Sequence, residues 1–258
     1  MHTRFMLKFE NRRKLPILLL IDDDMVSREV TATVLTMSGY TVHSAVCGLA
    51  ALDMLANGEC TPDVILMDAQ MPGLSGVALI AKLRTSTKAQ VFAVSASNLP
   101  DDVVAATDGF LLKPFDAEAL GKLLQGSPSP GAAARVSSLD PNQPVINAET
   151  LAQFRAIMPE DGVRQIYTAV IADLVKRMQM LEGAIAKGND AELRRIGHAI
   201  KGGCGMAGAL QAAHLGALFE QISPDTEGNH LDNRMALLGD LRAATRNLES
   251  MLEAELPV

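Results

Sequence analysis

The sequence predicts an α/β domain with a doubly wound, parallel, five-stranded sheet, followed by an all-α four-helix bundle. Three observations carry this. Over residues 15–125, short apolar runs alternate with stretches of helical period, the pattern of right-handed crossovers above a parallel sheet covered on both faces. Residues 126–144 are rich in glycine, serine and proline and read as a flexible linker. Residues 145–258 show long helical periods with short breaks and no strand signal, which means an antiparallel bundle.

Taken in order, residues 15–21 read as a buried strand and 25–38 as a helix stopped by Gly39. A second strand spans 40–46, and a helix over 48–57 closes at Gly58. The run Asp-Val-Ile-Leu-Met at 63–67 is continuously apolar after its first residue and makes a third strand. A helix over 76–84, strands at 90–95 and 109–112, and a helix over 116–125 complete the unit. Helices are then expected over 148–158, 163–187, 191–203, 207–222 and 231–255, with breaks at Pro159, Gly188-Asn189 and Ser223-Pro224.

Composition narrows the function. The chain has 258 residues, 23 Lys and Arg against 30 Asp and Glu, and a formal charge of −7. The acidity is spread over both halves, with no concentrated basic surface for phosphate contacts, which argues against nucleic acid as a partner. The longest apolar run, 15–21, is too short to span a bilayer. The basic residues 1–14 precede no signal-peptide core and read as a solvated extension, so cytoplasm is the expected location. Cys47, Cys60 and Cys204 are too few and scattered for a disulfide framework or a zinc clip, and read as small buried hydrophobes.

The first strand runs into Asp22-Asp23-Asp24, and the third into Asp68. In a doubly wound sheet the carboxyl ends of neighbouring strands share one crevice. Carboxylates gathered there repel one another unless a hard divalent cation joins them, and Mg²⁺ suits oxygen donors while keeping waters for a phosphoryl group. Ser95 and Lys113 end strands four and five on the same rim, a hydroxyl and an ammonium suited to phosphoryl oxygens. Asp24, just outside the acidic pair and ahead of a helix, reads as its cap.

Four segments, Leu-Leu-Leu-Ile-Asp-Asp-Asp (18–24), Asp-Val-Ile-Leu-Met-Asp-Ala-Gln-Met-Pro-Gly (63–73), Val-Ser-Ala (94–96) and Leu-Leu-Lys-Pro-Phe (111–115), resemble the receiver domain of two-component response regulators, over about residues 15–125. The resemblance implies a flavodoxin-like fold and Asp68 as phosphoacceptor. It further implies Mg²⁺ on Asp23, Asp68 and the carbonyl of Gln70 with Asp22 assisting, Ser95 and Lys113 on the phosphoryl oxygens, and a cis bond before Pro114. The Ser95–Lys113 spacing is shorter than the family's usual one, so the fourth helix, around 99–107, is expected to be shortened or lost. Phe110 stands at the switch-aromatic position without a hydroxyl. A rival reading takes Asp22-Asp23-Asp24-Met25-Val26 as the opening of a haloacid-dehalogenase-type phosphatase with Asp22 as nucleophile. That reading leaves Asp68-Ala-Gln-Met-Pro-Gly unexplained.

On the helix over 191–203, with Ile196 at 0° and about 100° per residue, Leu193, Ile200 and Gly203 form a core stripe. Arg194, His198 and Lys201 fall at about 140–200°, opposite it. His198 is therefore expected to be exposed between two cations, beside the bare backbone of Gly202 and Gly205. The stretch His-Ala-Ile-Lys-Gly-Gly-Cys-Gly-Met-Ala-Gly (198–208) resembles the signature of histidine-containing phosphotransfer (HPt) domains, over about 145–255. This implies that His198 Nε2 carries a phosphoryl group, helped by Lys201. His2, His43, His214 and His230 have no such neighbourhood. Together the two resemblances imply a phosphorelay signalling protein, not an ATP-using enzyme, since no ATP-binding kinase region is present. Its expected partners are an upstream sensor histidine kinase and a downstream receiver, with Asp68 and His198 exchanging phosphoryl groups within or between chains. Alternatively, the first domain gates the His198 surface without transfer.

Overall fold

A computed structural model describes residues 15–96, 99–125, 143–222 and 230–256. The linker expected over 126–144 and the extension over 1–14 fall almost wholly outside the described residues. The first domain is built from β1 (Ile17–Ile21), α1 (Met25–Met37), β2 (Thr41–Ala45), α2 (Gly48–Ala56), β3 (Val64–Asp68), α3 (Gly76–Ser86), β4 (Gln90–Ser95), α4 (Asp101–Ala106), β5 (Gly109–Leu112) and α5 (Ala117–Leu124). The strands are all parallel, in the order β2-β1-β3-β4-β5. Side chains alternate by two along each central strand. Leu19, Ile21, Ile65, Met67, Val91 and Ala93 share one core, while Leu18, Leu20, Val64, Leu66, Phe92 and Val94 fill the other.

Register brings the carboxyl ends level. Ile21 pairs with Met67, Asp68 with Val94, and Ser95 with Leu112, so Asp22, Asp68, Ser95 and Lys113 follow one another along a single rim. Asp24 caps α1 as expected, its Oδ1 accepting the Ser27 N–H at 2.8 Å. The fourth helix survives as six residues, with Val103 its one buried side chain, the shortening that the Ser95–Lys113 spacing requires.

The second unit comprises α6 (Ala148–Ile157), α7 (Glu160–Ala186), α8 (Asp190–Met206), α9 (Leu210–Glu220) and α10 (His230–Glu255). The last four pack as a bundle, α8 against α7 and α9, and α10 against α7 and α9. Glycines bring α8 and α9 together: a Cβ on Gly197 would stand 2.5 Å from Glu220 N and 2.6 Å from Phe219 Cβ, and one on Gly216 2.6 Å from Lys201 N. α7 starts three residues before its expected position, directly after Pro159, whose fixed φ suits a helix start. Contrary to expectation, α8 does not stop at Gly203 but continues to Met206. Each interior glycine costs about 1 kcal/mol of propensity, and burial of Gly202, Gly203, Cys204 and Met206 offsets it. The helix ends ahead of Gly208, at φ +71°. No helix among the described residues is long and apolar enough to cross a membrane.

The two units are in contact. α1 lies against α6, α7 and α8, and its Val26 and Val30 are buried in the same cluster as the bundle residues Leu193, Ile200 and Cys204. Gly203, assigned from the helical wheel to the bundle's core stripe, instead faces α1: a Cβ there would lie 3.2 Å from Asp24 Oδ1 and 3.4 Å from Val26 Cβ.

Candidate functional site: a cavity between two domains

A cavity of about 380 Å³ opens where the sheet rim meets α8, and Asp23, Asp68, Gln70 and Lys113 line it from one side, Arg194, Arg195, His198 and Glu220 from the other. The rim is organised around Lys113. Its Nζ donates to Asp22 Oδ2 and Asp68 Oδ2, both at 2.7 Å. Burial opposes the ammonium charge, but the two carboxylates outweigh it and hold the lysine above its ordinary pKa. The Lys113–Pro114 bond is cis. Asp68 Oδ1 accepts the Gln70 N–H at 2.7 Å, which fixes the carboxylate plane at the end of β3.

Asp22 and Ser95 differ from expectation. Asp22 is 1% exposed and fully engaged: Oδ1 accepts the Asp24 N–H at 2.9 Å, and Oδ2 accepts Ser27 Oγ and Lys113 Nζ at 2.7 Å. It therefore sits behind the cavity wall, which removes the geometric basis for Asp22 as a phosphatase nucleophile. Ser95 is fully buried, its carbonyl accepting the Lys113 N–H at 2.7 Å, and Ala96 takes the place on the wall. Phe110 is 37% exposed, on β5 and off the cavity wall.

Asp23 is the most open of the acids on this rim. Partial burial, then the charges of Asp22, Asp68 and Asp24, push its pKa up, so the rim holds more negative charge than its own groups tolerate comfortably. Among the described residues no three His, Cys, Asp or Glu side chains are close enough together to form a metal cage. The donors on the wall are two carboxylates, Asp23 and Asp68, beside Gln70. That matches Mg²⁺, which uses one or two carboxylates and completes its octahedron with waters and phosphoryl oxygens.

On the other wall, His198 is not freely exposed as the helical wheel suggests. Its side chain is 17% exposed, because the rim of the first domain covers this face of α8. Its Nδ1 lies 2.7 Å from Glu220 Oε1. Burial disfavours the Glu220 charge, but hydrogen bonds from His198 and Lys201 outweigh this and hold the carboxyl below its usual range. A carboxylate there accepts from Nδ1–H, leaving the Nε2 lone pair free of that bond. Lys201 donates to Glu220 Oε2 at 2.9 Å, so it balances Glu220 and does not line the cavity. The cations on the wall are Lys113, Arg194 and Arg195.

Glu220 was not identified by the sequence reading, although a signal exists. Gly216 and Glu220 are four residues apart on α9, as Gly197 and Lys201 are on α8, so an acid and a base each share a helix face with a glycine that permits close approach. Among the other histidines, His43 and His214 lie off the cavity, while His2 and the side chain of His230 fall outside the described residues. Cys60 and Cys204 are buried as expected, but Cys47 is only partly so, since its Sγ caps α2 at Ala50 N.

Comparison with known families matches residues 18–125 to the response regulator receiver domain and residues 165–255 to the Hpt domain. Over 106 residues the chain is 35% identical to the transcriptional regulatory protein CseB of Streptomyces coelicolor, covering 40% of this chain and 44% of that protein. Over 108 residues it is 34% identical to the response regulator MprA of a Mycobacterium species, covering 40% and 46%. The chain thus spans less than half the length of these curated relatives. Among solved structures, the chemotaxis protein CheY4 of Vibrio cholerae aligns at 28% identity over 42% of this chain and 95% of its own, with a TM-score of 0.38. This chain is a fusion of a response regulator receiver domain and an Hpt domain, in that order.

Proposed function

We propose that the chain is a phosphorelay intermediate in which Asp68 and His198 of one chain exchange a phosphoryl group. The observation that carries this reading is the single cavity lined by both residues. A partner sensor histidine kinase supplies the group to the relay and a downstream receiver takes it, with entry and exit at either acceptor.

In the exchange, the acyl P–O bond at Asp68 breaks as a P–N bond forms at His198 Nε2, and the Asp68 carboxylate is the leaving group. The reverse step regenerates the acyl phosphate. Glu220 accepts the Nδ1 proton's hydrogen bond throughout, which keeps the nucleophilic lone pair on Nε2. Lys113 remains beside the Asp68 oxygen on which charge returns, and Arg194 offsets the phosphoryl oxygens from the other wall, where Arg195 is forked onto Glu192. Asp23, Asp68 and the Gln70 carbonyl would hold Mg²⁺, which would draw charge from the phosphoryl oxygens; Asp22 positions Lys113 from behind the wall. Alignment accounts for most of the remaining catalysis.

A second reading follows from the covered state of His198: the receiver shields the histidine, so transfer to another protein requires the domains to part. Labelling with a small acyl phosphate and Mg²⁺ tests the main reading. Wild type should carry a base-labile label at Asp68 and an acid-labile label at His198. Asp68→Ala should lose both, and His198→Ala only the second. An acid-labile label in Asp68→Ala would exclude Asp68 as its source.

A further inference from the structure

Where α1 of the receiver meets α7 of the bundle there is an ion pair that takes no part in the chemistry above. Asp24 Oδ1 is occupied by the Ser27 N–H, which leaves Oδ2 to pair with an Arg177 guanidinium nitrogen across the seam. Arg177 Nε is held by Asp173, one turn earlier on α7. All three side chains are only 10–13% exposed. Beside the ion pair, Val26 and Val30 enter the bundle core, and Gly203 lets α8 approach α1.

These contacts differ in what they can discriminate. An apolar helix face fits many helices of similar shape. A guanidinium held between two carboxylates in a largely buried seam demands a carboxylate at one place, because its planar fork is directional and an unpaired charge there is penalised. Asp24 supplies that carboxylate from the cap of α1, at the edge of the cavity it helps to line, so the pair also sets the register between Asp68 and His198.

We propose that Arg177 is a specificity-determining positioning residue. It selects a receiver with a carboxylate at the cap of its first helix, and directs exchange with His198 to the chain's own receiver domain. The proposal rests on the phosphotransfer reading above. A receiver with a neutral cap leaves Arg177 with Asp173 alone, and one with a basic cap is repelled. Loss of Arg177 should do more harm than loss of the Asp24 charge, since it leaves Asp24 and Asp173 facing each other.

The test uses full-length chains. A donor chain labelled at Asp68 by a small acyl phosphate and Mg²⁺ is mixed with an equal amount of unlabelled Asp68→Ala acceptor, and acid-labile label is counted on each. In wild type, the donor's own His198 should take most of it. Arg177→Met in the donor should move the ratio about tenfold toward the acceptor, whose Arg177 is intact. Asp24→Asn, which keeps the cap, should slow transfer to both chains alike and leave the ratio unchanged. Arg177→Lys should recover part of the wild-type ratio. Hydrogen exchange over α1 and the end of α8, read without any phosphodonor, should show protection lost most in Arg177→Met. An unchanged ratio in Arg177→Met overturns the assignment alone, whereas a wild-type chain that never labels His198 overturns the phosphotransfer reading as well.

Discussion

Replacing Gly203 by leucine should part the two domains while leaving the bundle at least as stable as before. A Cβ at this position stands 3.2 Å from Asp24 Oδ1 and 3.4 Å from Cβ and Cγ1 of Val26, so a methyl group already forces its neighbours to shift. Leucine adds three more carbons to space filled by α1. Overpacking of this kind costs about 1–3 kcal/mol, or about 5- to 150-fold in the docking equilibrium. Within α8 the same change removes a glycine from a helix interior, a gain of about 0.5–1 kcal/mol. The two effects have opposite signs and separate readouts. Amide exchange should accelerate in the first turns of α1, and own-chain transfer from Asp68 to His198 should slow in proportion. The thermal midpoint of the bundle should hold or rise. Unchanged protection of α1, or a bundle that melts markedly earlier, would refute the reasoning, because Gly203 would then be packing inside the bundle and not against the receiver.

Three further outcomes follow from the same geometry. Gly197→Val should destabilise the bundle by about 3 kcal/mol in denaturant melts, since its Cβ would stand 2.5 Å from Glu220 N. Glu220→Gln should destabilise the chain at pH 7. Glu220's folded-state pKa is depressed, so its contribution is present above the ordinary carboxylate value of about 4.3 and is lost as pH falls through the depressed one. The gap between variant and wild type should therefore close in acid unfolding curves. Asp23→Asn should raise the metal-free melting temperature, because burial and the charges of Asp22, Asp68 and Asp24 penalise this carboxylate. Its surface position limits the gain to at most about 1 kcal/mol. The same variant should shrink the stabilisation that Mg²⁺ gives wild type, read as the difference in melting temperature with and without the ion.

Much of the fold and rim was legible because period and strand ends are local properties. The runs that became β1, β3 and β4 are apolar on both faces, as only a doubly covered sheet requires, and parallel register then brings Asp22, Asp68 and Lys113 to one edge. Asp24 could be read as a cap because an acid ahead of a helix has few other uses. The docking of the domains was not legible. Val26 and Val30 look like residues that pack a helix onto its own sheet, and periodicity does not say which neighbour covers them. Gly203 was placed in the bundle's stripe by its angle, although its contact is with another domain. His198 was placed correctly on its helix face, but a helical wheel assigns a side chain to a face and not to what later covers it. Ser95 fell behind the wall for a similar reason, since the end of a strand sets position along the rim but not depth below it. The long-range ion pair of Arg177 with Asp24 leaves no local trace at all.

Dilution gives the most direct measurement of the central claim. Wild-type chains labelled at Asp68 are diluted over a hundredfold range, and the first-order appearance of acid-labile phosphate at His198 is followed in a single turnover. Exchange within one cavity predicts a rate that does not change with concentration. A rate that falls in proportion to concentration would contradict it, placing the two phosphoacceptors on different chains when they react.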